Sequence, residues 1–200
     1  MTDDAPSRAL GAAALVGCAA VLVCDLVMWF LVRGYDPVAQ TISELGAGPH
    51  HAIQDTGLTL FAVGILALGV ALVRRRPAGA RGWLVTLGVF ALAAVVAVIA
   101  LRNEYGDGDT GGLVIHRYLV GALYVLVAIL LWFARAAFPG ASPGMLRYAR
   151  LAAAAWALLA PLFYVVPESV NGAYERGLGL FLVAVVGLAA ITLRRSPPPV

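Results

Sequence analysis

Six long apolar runs alternate with short polar segments along the chain. An α-helix needs about 20 mostly apolar residues to cross the hydrocarbon core of a membrane, where each backbone amide must be bonded within the helix. The runs are continuously apolar and lack the period-two alternation of a transmembrane β-strand. We therefore predict an all-α, polytopic membrane protein that forms a single bundle of six transmembrane helices over residues 1–200. The predicted spans are about 9–33, 57–73, 82–101, 113–134, 147–166 and 177–193.

The composition and the distribution of charge also predict a membrane topology. Of the 200 residues, 62% are hydrophobic and 12% are charged, and all 14 basic residues are arginines. Arginines collect before the first span, after the sixth, and in the loops that follow spans two and four: Arg8, Arg74, Arg75, Arg76, Arg81, Arg135, Arg147, Arg150, Arg194 and Arg195. The positive-inside rule then places both termini in the cytoplasm. We expect a multi-pass protein of the bacterial cytoplasmic membrane that contacts anionic lipid and binds no nucleic acid.

The first predicted outer loop contains an unusual concentration of polar residues, in the stretch "RGYDPVAQTISELGAG". Asp36 is a suitable N-cap, Pro37 suits the first helical position and Gly46 suits the end of a helix, which together predict a short helix over 37–45. The apolar face of this helix would carry Val38, Ile42 and Leu45, and the opposite face Gln40, Ser43 and Glu44. We therefore expect Ser43 and Glu44 to be presented together.

The three predicted outer loops all end on the same side of the membrane, so their polar residues can converge there. The candidate catalytic residues are Glu44, Asp109, His116 and Glu175. The candidate substrate-binding residues are Ser43, Arg117, Tyr174, Arg176 and Asp25. In one interpretation Arg117 and Arg176 bind an anionic phosphate or carboxylate head group while His116 or a carboxylate moves a proton. In the other, these arginines form ion pairs with Glu44 or Glu175 that only hold the helix ends together.

Asp25 lies inside the first predicted span, about eight residues or roughly 12 Å from its outer end. A carboxylate at this depth is costly and faces a partner or a cavity. In a functional interpretation it is a proton carrier or an acid held protonated by desolvation. In a structural one it is a neutral or arginine-paired aspartate that fixes helix packing.

Known cofactor and metal motifs are absent from the sequence. The histidines and acidic residues have no spacing typical of a zinc or calcium site. Ser43 lacks the G-x-S-x-G context of a hydrolase nucleophile. We therefore expect no metal and no cofactor.

Three motifs resemble those of a known family. They are "GYDPVAQTISELGA" after the first span, an aspartate followed by His116 at the start of span four, and "ER" at the start of the last span. Over about 12–193 the chain resembles the bacterial membrane family catalogued as domain of unknown function 998. That family has Phe-Pro before the aspartate whereas this chain reads "EYGDGD", so the matching residue is Asp107 or Asp109. The resemblance implies a six-helix membrane fold and no established reaction.

The functional hypothesis is an outward-facing membrane site for an amphiphilic lipid or an isoprenoid-like molecule. Acid/base chemistry, such as a proton-initiated isomerisation or cyclisation, needs a desolvated acid and aromatic side chains but no metal. The sequence leaves open whether the protein is an enzyme. The alternative is a non-catalytic membrane protein, either a small-molecule transporter or a partner that assembles with other membrane proteins.

Overall fold

The computed structural model describes residues 5–77, 79–101, 110–138 and 140–195, and the side chains of all of these except 110–115. Within these ranges the chain is helical and contains no strand. The α-helices are α1 (Ala5–Leu31), α2 (Ile42–Ala47), α3 (His51–Arg74), α4 (Gly79–Leu101), α5 (Thr110–Trp132), α6 (Ala134–Ala137), α7 (Pro143–Leu159) and α8 (Asn171–Arg195). Two short 3₁₀ segments, Ala160–Tyr164 and Glu168–Val170, join α7 to α8.

The long helices have the length and composition of membrane spans. Five qualify among the described residues: Ala5–Leu31, His51–Arg74, Gly79–Leu101, Pro143–Tyr164 and Glu168–Arg195. The described side chains of α5 form a shorter apolar helix, His116–Trp132. The prediction of an all-helical, multi-pass membrane protein is therefore confirmed, while the count of six spans and the cytoplasmic placement of the termini stay predictions.

Small residues let the first two long helices approach closely. A Cβ atom added to Gly17 of α1 would lie 2.6 Å from the carbonyl oxygen of Leu60 in α3, and one added to Gly64 would lie 3.2 Å from the Cα atom of Ala14. Without a hydrophobic driving force between helices inside a bilayer, such close backbone packing is a main source of association. Around the bundle, α1 packs against α3 and α8, α3 against α4, α4 against α5, and α5 against α7.

The two ends of the bundle differ in character. At one end the side chain of Arg75, which caps the C-terminus of α3, donates a hydrogen bond to the carbonyl oxygen of Leu193 in α8, close to the other arginines on which the predicted topology rests. At the other end, the connection 32–50, which includes α2, is bonded to the start of α8, and the connection 165–170 leads into that helix. We call this second end, with these two connections, the polar end.

The helix predicted over 37–45 is wrong in its bounds. The Asp36 carboxylate accepts hydrogen bonds from the backbone N–H groups of Val38 and Ala39, but the turn it begins stops at Gln40. A new helix, α2, begins after Thr41, whose hydroxyl accepts from the Glu44 N–H at 3.1 Å while the Glu44 carboxylate accepts from the Thr41 N–H at 2.7 Å. This reciprocal capping box satisfies two amides at once and therefore fixes the start of α2.

The residues of α2 that face inward also differ from those expected. Ser43 is buried, with 8% of its surface exposed, whereas Glu44 is exposed. Leu45, expected on the face opposite Ser43, is buried as well. The expectation that Ser43 and Glu44 would be presented together is therefore wrong, because Glu44 serves the cap of its own helix.

Candidate functional site

A cavity of about 760 Å³ lies between the long helices at the polar end. Apolar side chains of α1, α3, α4, α5 and α8 form most of its wall. Three of the lining residues, Leu22, Leu26 and Leu180, are also 40%, 49% and 55% exposed, so that part of the wall reaches the lipid-facing surface of the bundle. A largely apolar enclosure with a few polar groups is typical of a small-molecule site.

Ser43, His116 and Glu175 form a hydrogen-bonded chain in the cavity wall. The Ser43 Oγ atom lies 3.0 Å from His116 Nε2 and donates a hydrogen bond of 2.9 Å to Glu175 Oε1. The second carboxylate oxygen of Glu175 accepts the backbone N–H of Ile42. Both Ser43 and His116 are buried. The three side chains come from α2, α5 and α8, so the folded bundle brings together groups that lie far apart in sequence.

This chain of groups can carry a proton. With Ser43 donating to the Glu175 carboxylate, the serine oxygen is free to accept the N–H of His116. A concerted shift of both hydrogens would move one proton from an imidazolium to the carboxylate through the hydroxyl. In a serine hydrolase the acidic residue orients the histidine, whereas here Glu175 contacts the serine. The geometry therefore favours a proton relay over a serine nucleophile.

Arg176 is the next residue along α8, and its guanidinium joins three parts of the polar end. Its Nε and Nη2 atoms donate to the two carboxylate oxygens of Asp25 in α1, at 3.2 and 3.1 Å. Its Nη1 atom donates to the carbonyl oxygens of Pro37, Gln40 and Gly172 at 2.9 to 3.1 Å, and Nη2 also donates to the Tyr35 hydroxyl. All five N–H donors of the guanidinium are thereby engaged.

Aromatic rings enclose the same guanidinium. The rings of Trp29 and Tyr35 each lie 5.4 Å from the Arg176 Cζ atom, within the range of a cation–π contact. Burial raises the pKa of Tyr35 to about 12, although the Arg176 charge acts in the opposite direction. The phenol therefore stays protonated at physiological pH, and its hydroxyl donates to the Gln40 carbonyl oxygen at 3.1 Å.

The turn at 37–40 is seated directly on the start of α8. The first amides of a helix have no partner within it, and here the N–H groups of Gly172 and Ala173 donate to the carbonyl oxygens of Ala39 and Val38. A Cβ atom at position 172 would lie 2.0 Å from the Gln40 carbonyl oxygen. Only glycine permits this contact, which places α2 and Ser43 over Glu175.

We predict that Gly172→Ala will displace the turn at 37–40, because the added methyl group overlaps a backbone carbonyl group. The expected loss of stability is about 1–3 kcal/mol, typical of overpacking, with faster amide hydrogen exchange over 37–43. Thermal unfolding in detergent and hydrogen-exchange mass spectrometry measure the two effects. The matched control is Gly177→Ala on the same helix, where a Cβ atom would meet nothing within 4 Å. Equal behaviour of the two variants would contradict the assignment.

The structure brings five of the nine candidate residues to the cavity wall: Asp25, Ser43, His116, Glu175 and Arg176. Glu44 caps α2, and the Tyr174 hydroxyl donates to the Leu159 carbonyl oxygen at 2.7 Å, joining α8 to the end of α7. Arg117 is exposed and lines a separate surface groove. Asp109, with its alternative Asp107, lies outside the described residues. Of the two interpretations of Asp25, the contacts agree with the arginine-paired one, and its partner is on the last helix.

Sequence reasoning missed the polar and aromatic residues deeper in the wall. Gln54 is fully buried and lines the cavity, although it precedes the predicted start of the second span at 57. Tyr124 and Trp156 also line it, and the Trp156 Nε1–H donates to the Tyr124 carbonyl oxygen at 2.9 Å. A single glutamine at the edge of an apolar run was the available signal for Gln54.

The comparisons with known proteins identify a family but no activity. A family model described as "Protein of unknown function (DUF998)" matches residues 15–192 and confirms the resemblance noted in the sequence. No curated protein and no solved structure gives a significant match. Among the described residues, no group of three histidine, cysteine, aspartate or glutamate side chains is placed to hold a metal ion.

Proposed function

Because the chain belongs to the DUF998 family, whose description assigns no activity, we propose a function from the geometry of its site. The protein binds an amphiphilic lipid or isoprenoid-like molecule in the cavity and transforms it by proton transfer. The observation that carries this proposal is the Ser43–His116–Glu175 chain in the wall of an apolar cavity. Polar and ionisable groups at membrane depth are costly, and they are commonly retained for function.

The proposed chemistry needs no co-reactant. An isomerisation begins when the acid form of the relay adds a proton to one carbon of a carbon–carbon double bond, which leaves a carbocation on the other carbon. The basic form of the relay then removes a proton from a neighbouring carbon, and a new double bond forms. The proton count balances, and the aromatic rings of Tyr124, Trp156 and Phe61 in the wall favour a positive charge in the cavity.

The exposed part of the wall supports a route from the bilayer. An amphiphile already dissolved in the membrane would reach the cavity past Leu22, Leu26 and Leu180 without passing through water. In this proposal the protein resides in the bacterial cytoplasmic membrane with the polar end outward, as the arginine distribution predicts. Its partners are then membrane lipids and the bound amphiphile.

A carrier is the second candidate, and the same exposed wall favours it, because a ligand that enters from the bilayer can also leave there. Carriers commonly place charged groups near the midplane. Here the Asp25 carboxylate is held in an ion pair by Arg176, and the Glu175 carboxyl group is bonded to Ser43 within the relay. We therefore rank proton transfer to the ligand above transport.

We predict that the purified protein will introduce deuterium into the carbon skeleton of a membrane lipid. The protein in nanodiscs would be incubated with a total bacterial lipid extract in D₂O, and the lipids would then be returned to H₂O, which removes deuterium from O–H and N–H groups. Mass spectrometry should show one or more lipids with retained, carbon-bound deuterium. A lipid that co-purifies and acquires no such label would instead support the carrier. No labelled and no co-purified lipid would overturn the proposal.

A further inference from the structure

A second recess lies on the outer surface of the bundle, apart from the cavity. It has a volume of about 910 Å³ and follows one face of α5 from Arg117 to Leu126, with Tyr164 on its other side. The Tyr164 hydroxyl donates to the Arg117 carbonyl oxygen at 3.1 Å, which joins α5 to the 3₁₀ segment after α7. The cavity is lined by other positions of α5, among them His116 and Tyr124. We call the recess on the outer face the outer groove.

Beyond Arg117 the outer groove is apolar and open. A Cβ atom added to Gly121 would meet one atom within 4 Å, the Tyr164 hydroxyl oxygen at 3.9 Å. Ala122 is exposed, and Val125 is 59% exposed. Val125 follows Arg117 by two helical turns, or about 12 Å, which is close to the ~15 Å half-thickness of a bilayer core. The groove therefore has the length and the apolar character that suit the acyl chain of a lipid in one leaflet.

Arg117 gives the outer groove a charged end. Its side chain is exposed, and within the described part of the chain it forms no ion pair and no acidic residue lines the groove. The adjacent Tyr118 is 76% exposed, and tyrosine is typical of the level of the lipid head groups. Unlike Arg176, whose N–H groups are bonded within the protein, Arg117 is available to an external anion. A guanidinium binds phosphate through two parallel hydrogen bonds.

We propose that the outer groove binds an anionic glycerophospholipid of the membrane, with the phosphate on Arg117 and one acyl chain along Gly121 and Val125. Such a lipid matches both the charged end and the apolar channel of leaflet length. A zwitterionic lipid carries its own cation near the phosphate, which offsets the attraction to arginine, so the anionic head group is preferred. An apolar helix of another protein would fill the channel but would leave the guanidinium without an anion.

This site goes beyond the proposed function and does not depend on it. None of the relay residues Ser43, His116 and Glu175 lines the outer groove, so the lipid held there is not a substrate. Its role is structural, because it fills the space between α5 and the end of α7 on the face of α5 that points away from the cavity.

Photocrosslinking with two lipid probes tests this site. Both probes carry the same acyl chains with a diazirine group on one chain, and they differ in head group, phosphatidylglycerol or phosphatidylcholine. Each is added in trace amount to the full-length protein in phosphatidylcholine nanodiscs. Peptide mass spectrometry compares labelling of α5 over 118–126 with labelling of α3 at the exposed Leu60 and Val63. Relative to α3, we expect α5 to favour the phosphatidylglycerol probe by about three- to tenfold, the usual effect of one arginine near an anionic lipid.

Two variants separate the head-group contact from the chain contact. Arg117→Gln should abolish the head-group preference of α5. Gly121→Leu, which fills the groove and keeps the arginine, should lower the labelling of α5 by both probes. The matched control is Arg147→Gln, at an exposed arginine near the start of α7, which should keep the wild-type preference.

Each outcome has a distinct meaning. Equal labelling of α5 by both probes in the wild-type protein would show ordinary contact with bulk lipid and overturn the proposal. A preference that persists in Arg117→Gln would overturn the assignment of Arg117. Labelling of α3 but not of α5 would show that protein covers the groove, which also overturns the proposal. If Arg117→Gln does not fold, the wild-type ratio still decides the head group and Gly121→Leu the groove. The deuterium experiment tests the cavity separately.

Discussion

Replacing Arg176 with methionine is expected to lower the free energy of unfolding by about 3–5 kcal/mol, the usual cost of removing one partner from a buried ion pair. The side chains of Arg176 and Asp25 are 10% and 16% exposed, so solvent screens the orphaned charge only weakly. The substitution also removes the hydrogen bonds that Arg176 donates to the carbonyl oxygens of Pro37 and Gln40, of which the Gln40 oxygen keeps the bond from the Tyr35 hydroxyl. The turn at 37–40, and with it α2, should become mobile.

Reversible denaturation with SDS, followed by tryptophan fluorescence, would measure this loss. Adding Asp25→Asn to the variant removes the uncompensated carboxylate, so the double variant should recover part of the stability. Arg147→Met, at an exposed arginine of α7, serves as the control for the change of residue type. A loss no larger than that of the control would show that the ion pair does not hold the polar end together.

The second large effect concerns Glu175. Glu175→Gln retains an oxygen that can accept a hydrogen bond but cannot take up or release a proton, so deuterium transfer to lipid should fall by about 10²–10⁴-fold, the usual contribution of a general acid or base. The comparison uses initial rates of carbon-bound label. Glu168→Gln, at an exposed glutamate of the neighbouring 3₁₀ segment, should retain the wild-type rate.

Ser43→Ala tests the path of the proton separately from its source. It removes the hydroxyl that joins His116 to Glu175, so the rate should fall although both titratable groups remain. An unchanged rate in Ser43→Ala, with a large loss in Glu175→Gln, would mean that the proton does not pass through Ser43. Unchanged rates in both variants would exclude catalysis by this relay.

The membrane helices could be predicted from the sequence because the physical requirement is strong and local. A segment in hydrocarbon must satisfy its own backbone and be apolar over its whole length, so each span is readable without its neighbours. The ends of the helices were harder to predict from the sequence. In α2, two competing N-caps lie five residues apart, at Asp36 and Thr41, and the second begins the helix because Glu44 completes a reciprocal pair with it.

From the sequence we could predict that polar residues of the outer loops converge, but not which side chains contact each other. The three loops were predicted on one side of the membrane, which indicated that their residues could meet. The individual pairs could not be read from the sequence, because Asp25 and Arg176 are 151 positions apart and Ser43 and Glu175 are 132 apart. Charge alone made Glu175 as reasonable a partner for Arg176 as Asp25. The choice depends on side-chain direction, because successive residues of α8 point to different neighbours and so Glu175 meets α2 while Arg176 meets α1.

The Asp25–Arg176 pair has a consequence for biogenesis. Asp25 and Arg176 are 151 positions apart, so α1 leaves the ribosome well before the guanidinium of α8 is synthesised. During that interval α1 can associate with α3 through Gly17 and Gly64, but the turn at 37–40 has no surface on which to settle. In the folded bundle, α8 supplies both the guanidinium that pairs with Asp25 and the backbone amides on which the turn at 37–40 is seated. A chain interrupted before α8 would therefore expose a membrane-embedded charge, a feature by which quality-control proteases could distinguish unfinished molecules from complete ones.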